Sequence, residues 1–260
     1  MEILFLGTGT SQGVPMIGVE PIGLDLENPK NWRGRSCAHL VIDGVHVQID
    51  AGPEFRMACL KNRVPAVDYF FLTHEHSDHI LGMDDLRSFC AMRGGRAIPV
   101  YSTKSGVKRV RTIFDYGIRE NSGDGYIAFS THELKAPFRL PSGTLVEFVI
   151  LPHGRKIRSA GLVFTEKCSG KRLAYYTDCA SVPAEAVELA RGCDILVIDA
   201  LRQWPHPTHL SIEQALEISR EIGAKRTFFI HMTWQVDHET WNAKLPAGTE
   251  LAFDGLRVFV

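Results

Sequence analysis

The amino-acid sequence predicts a layered α/β domain, and three observations carry that reading. Short apolar runs of strand length recur from "EILFLG" at Glu2 to "LRVFV" at Leu256. Helical patterns lie between many of them, the clearest running from Ser211 to Ile222. Nothing divides the 260 residues, which contain no repeat, low-complexity tract or Pro/Ser linker, so residues 1–260 are expected to form one domain.

Taken in order, "EILFLG" is followed by "AHLVIDG" and "VHVQIDAG", two alternating runs joined by Asp43-Gly44. Asp-Gly between such runs is a hairpin signal, because both turn positions need a backbone that Asp and Gly tolerate. A helical segment from Glu54 to Lys61 leads to "VDYFFLT", apolar throughout and therefore suited to a strand covered on both faces. Further strands read "AIPVYST", "LVEFVILP", "AGLVFTE", "RLAYYTD" and "DILVIDA", then "RTFFIHM", "TELAFDG" and "LRVFV". Helices are expected from Ser105 to Tyr116, Pro183 to Arg191 and Ser211 to Ile222. The last has Ser211 with Gln214 three residues on, a capping box, and Gly223 as its stop. Arg119 to Pro141 is polar and aperiodic and reads as a surface insertion.

Composition bounds the function. Apolar residues make up 45% and charged residues 23%, and the formal net charge is -1, so nothing suggests a general affinity for nucleic acid or acidic membrane. No apolar run reaches the length of a membrane span, and the opening "MEILFLGTGTSQG" lacks the basic start and longer apolar core of a signal peptide. The six cysteines are scattered without a C-x-x-C pair, which fits reduced thiols and a cytoplasmic setting.

Chemistry concentrates in "FLTHEHSDHILGMDDLR", beginning at Phe71. His74 and His76 are two apart, so on extended chain they share a face and can reach one ion. Asp78 and His79 fall where the chain should turn into a helix and can address a second ion nearby. Nitrogen and carboxylate donors together suit zinc, iron or manganese.

The stretch resembles the signature of the metallo-β-lactamase superfamily, an αββα sandwich whose two mixed β-sheets are flanked by helices and hold two metals at one edge. The resemblance implies three later ligands at strand ends, and the sequence offers them in order: His153 after "FVILP", Asp178 after "LAYYT" and His231 after "TFFI". It puts His74, His76 and His153 on one divalent ion and Asp78, His79 and His231 on the other, with Asp178 bridging, the ions being Zn2+ or Mn2+. Two such ions about 3.5–4 Å apart can share a water, lower its pKa and clamp the attacking and leaving oxygens of a displacement. Asp50, closing "VHVQID", resembles a family aspartate behind the metals, although a turn aspartate is a plainer alternative.

The opening "FLGTGTSQGVPMIG" and the run "HPTHLSIEQALEISREIGAKRTFFIHMTWQVD" resemble the cyclic phosphodiesterase group, typified by the phosphonate-pathway enzyme that opens phosphoribosyl 1,2-cyclic phosphate. More distantly they resemble tRNA 3′-processing endonucleases. The resemblance implies a phosphodiesterase acting on a small, cyclic or acyclic phosphodiester, with Asp178 at the reacting centre and His209 as general acid or phosphate contact. His206 is the second candidate for that role. An RNA-processing phosphodiesterase, a glyoxalase-type thioesterase and a redox member of the fold are the alternatives. His76 stands where redox members carry Glu, and no long basic arm favours tRNA. The expected partner is a small molecule, with neither membrane nor nucleic acid, and a homodimer stays open.

Relatives in that group hold a structural zinc with a cysteine cluster after the first glycine loop and a histidine three residues past the last ligand. Here "GVEPIGLDLENPKN" has no cysteine and the later position is Trp234, so that loop is expected to pack by apolar contact. Two weaker signals accompany the cluster. Arg155, Lys156 and Arg158 follow His153 and could neutralise a phosphate, and the loop of Gly7, Gly9 and Gly13 could present N–H groups to an anion.

Overall fold

The computed structural model describes residues 1–121 and 125–260. Two seven-stranded sheets pack face to face. The first is built from β1 (Glu2–Gly7), β2 (Cys37–Ile42), β3 (Val45–Ile49), β4 (Tyr69–Leu72), β5 (Ile98–Ser102), β6 (Phe129–Glu133) and β14 (Arg257–Phe259), in the order β14-β1-β2-β3-β4-β5-β6. The second holds β7 (Phe138–Arg139), β8 (Leu145–His153), β9 (Ile157–Thr165), β10 (Arg172–Tyr176), β11 (Ile195–Asp199), β12 (Arg226–Ile230) and β13 (Thr249–Leu251), in the order β13-β12-β11-β10-β9-β8-β7. Each sheet begins as an antiparallel meander and continues as parallel strands: β3 to β6 in the first, β10 to β13 in the second.

Strand periodicity sorts the side chains into layers. In β1, Ile3 and Phe5 point between the sheets while Leu4 and Leu6 face the helices. In β12, Phe228 and Ile230 point inward while Phe229 faces out. Across the central layer Phe71 meets Phe164 edge to face at 5.3 Å, and Phe5 meets Phe228 at 5.6 Å. Such ring pairs add about 0.5–1.5 kcal/mol each to the gain from burial. The outer face of the first sheet packs on α1 (Phe55–Asn62), α3 (Arg87–Met92) and α4 (Lys104–Ile113). That of the second packs on α5 (Ala184–Ala190) and α6 (Ile212–Ile222). The result is the αββα sandwich.

Local signals are realised with small shifts. Asp43 and Gly44 turn the β2–β3 hairpin with φ of 47° and 77°, the left-handed pair a tight hairpin requires. The Ser211 hydroxyl accepts from Gln214 N at 3.2 Å, the Gln214 side chain accepts from Ser211 N at 2.8 Å, and Gly223 closes α6 at φ 68°. The helix expected from Ser105 to Tyr116 spans Lys104–Ile113, capped by the Thr103 side chain. Two further helices, α3 and α7 (His238–Asn242), were outside the sequence expectation.

Three expectations need correction. The segment from Arg119 to Pro141, residues 122–124 of which lie outside the described residues, supplies β6 and β7, one edge strand of each sheet, and buries Phe129 and Leu140. The glycine loop does not offer its N–H groups to an anion: Gly9 N donates to Gly34 O and Gly13 N to Thr10 O. Its glycines permit close backbone packing instead, since a Cβ on Gly7 would sit 1.9 Å from Arg35 O and one on Gly9 2.8 Å from Arg33 O. The loop does not pack by apolar contact alone: beside buried Leu24 it is held by buried polar side chains, with Asn31 Nδ2 donating to Asp237 Oδ2 at 2.7 Å. Among the described residues, no helix is long and apolar enough to cross a membrane.

Candidate metal centre

The C-terminal ends of β3, β4, β8, β10, β11 and β12 carry Asp50, His74, His153, Asp178, Asp199 and His231 at or just beyond them. Parallel strands present such ends on one rim, where side chains stand on rigid backbone and face a crevice. The chain beyond β4 runs extended through His76 and enters the short helix α2 (Ser77–Ile80), which delivers Asp78 and His79 to the same place. Asp50, Asp178 and His231 leave their strands with φ of 58°, 52° and 62°, a left-handed turn uncommon outside glycine.

These side chains form two touching groups: His74, His76, His153 and Asp178 in one, Asp78, His79, Asp178 and His231 in the other. Asp178 belongs to both. Its Oδ2 lies 3.7 Å from the Nε2 of His74 and of His153 and 3.2 Å from that of His231, and its Oδ1 lies 3.3 Å from His79 Nε2. His76 Nδ1 completes the first group, 2.9 Å from His74 Nε2 and 3.2 Å from His153 Nε2. Asp78 Oδ2 completes the second, 3.2 Å from His79 Nε2 and 3.7 Å from His231 Nε2.

The far nitrogen of three rings shows what the near one can do. His79 Nδ1 donates to Asp50 Oδ2 at 2.7 Å, and His153 Nδ1 to Thr208 O at 2.9 Å. His74 Nδ1 lies 3.1 Å from Thr73 Oγ1, whose own proton goes to Asp50 Oδ2 at 2.7 Å, so the hydroxyl accepts from the ring. In each case the Nδ1 proton is held, which leaves Nε2, facing Asp178, as the nitrogen that can give its lone pair to a cation. Asp78 Oδ2, His79 Nε2 and His231 Nε2 are buried with no hydrogen-bond partner among the described residues. Converging lone pairs and carboxylate oxygens with no donor between them are the donor set of a cation. The residues therefore fit divalent metal.

The electrostatics agree. Burial alone would lower the His79 pKa, but Asp178, Asp78 and Asp50 converge on the ring and push it well above the usual range. Burial would raise the Asp178 carboxyl, yet His231 and His79 hold it well below. Burial and then His79 drive His74 well down, so that nitrogen stays unprotonated. The three buried carboxylates that hold charge on His79 make a place where a divalent cation can take over from that proton.

His209 stands beside this cluster, its ring stacked on His231 at 4.6 Å and edge-on to His153 at 4.9 Å. Its Nδ1 lies 2.7 Å from Asp199 Oδ2. Burial opposes its charge, but Asp199 outweighs it and carries the pKa up to about 9. His206 is more exposed, with its Nδ1 accepting from the Thr208 hydroxyl at 3.1 Å and its ring 5.4 Å from His209. Arg155 and Lys156 lie exposed on the turn after His153, and Arg158 lies exposed at the start of β9. A cavity of about 930 Å³ between the first loop and α1 includes none of these residues.

Sequence reading missed the residues that act on the cluster at one remove. Asp199 closes "DILVIDA" as Asp178 closes its own strand, and that parallel was the available signal. Thr73 and Thr208 carried none, since a hydroxyl beside a histidine and a loop carbonyl look ordinary in sequence.

Residues 46–232 match the family model described as the Beta-lactamase superfamily domain. The chain is similar to a crystal structure described as a new diphosphatase from the PhnP family, with 33% identity, 100% of this chain and 97% of that chain covered, and a TM-score of 0.87. It is 31% identical over its whole length to an octanoyltransferase of Porphyromonas gingivalis, of which it spans only 52%. It is 27% identical to a ribonuclease Z of Trichodesmium erythraeum over 90% of this chain and 84% of that protein.

Proposed function

The chain belongs to the β-lactamase superfamily as a hydrolase of its metallo-β-lactamase fold, and from that premise we propose that it is a dinuclear metal-dependent phosphodiesterase acting on small phosphodiesters, cyclic ones included. One observation carries the reading: seven buried or half-buried side chains converge in two groups that share Asp178, with a carboxylate-held histidine alongside. The whole-length similarity to a PhnP-family diphosphatase supports phosphorus chemistry over thioester or lactam chemistry.

Ions held by His74, His76, Asp78, His79, His153, Asp178 and His231 would stabilise charge on the phosphoryl oxygens and acidify a water. This chain's other residues do the positioning. Asp50 and the Thr208 carbonyl hold the Nδ1 protons of His79 and His153 and so aim their lone pairs inward. Asp199 holds His209 Nδ1, leaving Nε2 as the atom that gives its proton to the departing alkoxide. The exposed basic turn after His153 can attract an anionic substrate.

A hydrolysis panel on metal-defined protein tests the reading. It should hold 2′,3′- and 3′,5′-cyclic nucleotides, phosphoribosyl cyclic phosphate, a diphosphate diester, an aryl phosphodiester, a thioester, a β-lactam and pre-tRNA. Turnover is expected on the small phosphorus esters without electron donor or oxygen. Turnover confined to the thioester or the lactam, or dependent on oxygen and a reductant, would overturn it.

A further inference from the structure

His231 differs from the other candidate ligands. The Nδ1 atoms of His74, His79 and His153 are fixed by Thr73, Asp50 and the Thr208 carbonyl, whereas His231 Nδ1 is buried without a hydrogen-bond partner among the described residues. Among the described residues no side-chain hydrogen bond orients its ring, so beyond its stacking on His209 its direction depends on the backbone that carries it. That backbone is left-handed at φ 62°, a conformation that a non-glycine residue keeps only when its surroundings over-determine it.

The surroundings are of two kinds. Backbone bonds pin the neighbours: Met232 N donates to Thr8 O at 3.1 Å, Thr10 N to Met232 O at 3.1 Å, and Thr233 N to Leu201 O at 3.0 Å. The second is Arg33, among the largest fully buried side chains, at 2% exposure. The close packing of the Gly9 backbone against Arg33 leaves no room for a Cβ, which would come 2.9 Å from Arg33 Cβ. From there the guanidinium caps the turn that follows His231. Its Nη2 donates to Val236 O at 2.7 Å and its Nη1 to Thr233 O at 3.4 Å. Asn31 braces it, accepting from Nη2 at 3.2 Å and from His238 N at 2.8 Å while donating to Asp237 Oδ2 at 2.7 Å.

We propose that Arg33, braced by Asn31, is a positioning residue for the second metal subsite: by capping the Thr233–Val236 turn it holds the left-handed backbone that aims the unanchored His231 imidazole. Arg suits the task because its planar fork reaches two carbonyls at once, which a lysine ammonium does less well. The inference rests on His231 being a metal ligand.

Wild type, Arg33→Met, Arg33→Lys and His231→Ala would each be stripped of metal, checked for folding by circular dichroism, reloaded with Co2+ and titrated against a chromophoric chelator. His231→Ala should abolish the tight binding of one ion. Arg33→Met should weaken that same ion by about 10–100-fold, the usual effect of losing an outer partner of a ligand, and leave the other ion's affinity unchanged. Arg33→Lys should recover part of the loss. Wild-type affinity for both ions in folded Arg33→Met, or equal weakening of both, overturns the proposal. If Arg33→Met does not fold, Asn31→Ala carries the same comparison, and wild-type affinity there overturns it equally. Retention of both ions by His231→Ala overturns the ligand reading and this inference with it, whereas retention by Arg33→Met alone overturns only the inference.

Discussion

Replacing Asp50 with asparagine should disarm His79 without unfolding the protein. Asp50 is fully buried and accepts three hydrogen bonds: Thr73 N on Oδ1 at 2.8 Å, and Thr73 Oγ1 and His79 Nδ1 on Oδ2, both at 2.7 Å. An amide has one oxygen. If that oxygen keeps Thr73 N, the new NH2 faces the Thr73 hydroxyl, which can turn to accept, and His79, which must then carry its proton on Nε2. That proton points at Asp78 and Asp178, 3.2 and 3.3 Å away, where a metal would need a lone pair. The flipped amide instead sets NH2 against Thr73 N–H and orphans a buried donor, at about 1–3 kcal/mol. Metal binding in the variant therefore requires that unfavourable arrangement, and one ion should weaken by roughly 10–100-fold. Two measurements check it: chelator competition for the loss, and 15N chemical shifts of the His79 ring in metal-free protein, at a pH high enough to neutralise the ring, for the exchanged tautomer. Unchanged affinity together with a proton still on Nδ1 would refute the reasoning.

Two further outcomes are expected. His209→Ala should keep its metal and lose about 10²–10⁴-fold on a diester with an alkoxide leaving group, yet far less on an aryl diester, whose leaving group needs little protonation; equal loss on both would make His209 a phosphate contact. His39 is a buried imidazole whose pKa burial, and then His46, pull down to about 4 against the opposing Gln48 hydrogen bond. Its stabilising contribution is complete above the unfolded value near 6.5 and is lost as pH falls towards 4, amounting at most to about 3 kcal/mol. Urea melts of metal-free protein at pH 4.5, 5.5 and 7 should therefore fall more steeply for wild type than for His39→Gln; parallel curves would exclude His39 as the titrating group.

What was legible in the sequence was whatever is local. The β2–β3 turn at Asp43-Gly44 and the capping box of α6 involve residues adjacent or three apart, so residue type alone specifies them. "THEHSDH" was legible for the same reason, and His153, Asp178 and His231 because each closes an apolar run in an order that resembles a family. Strand β6 escaped because it is an edge: only Phe129 of "FSTHE" is buried, so no alternation marks it. Arg33 and Asn31 escaped because their partners, Thr233 to His238, lie some two hundred positions away and most of the contacts are to backbone, which leaves no trace in composition. Asp199 could have been found by asking which other strand ends in a carboxylate.

The left-handed strand ends at Asp50, Asp178 and His231 set selection for durability against selection for chemistry. A left-handed non-glycine backbone costs roughly 1–2 kcal/mol per residue, and at the two aspartates a buried carboxylate adds its own desolvation. Glycine at His231, whose ring makes no hydrogen bond among the described residues, would relax the backbone without orphaning a buried donor, whereas at Asp50 it would strip the Thr73 and His79 donors of their acceptor. A copy released from selection for metal binding thus has a downhill path open to it first at His231. In diverged relatives, glycine appearing there would mark the retirement of the chemistry while the sandwich persists.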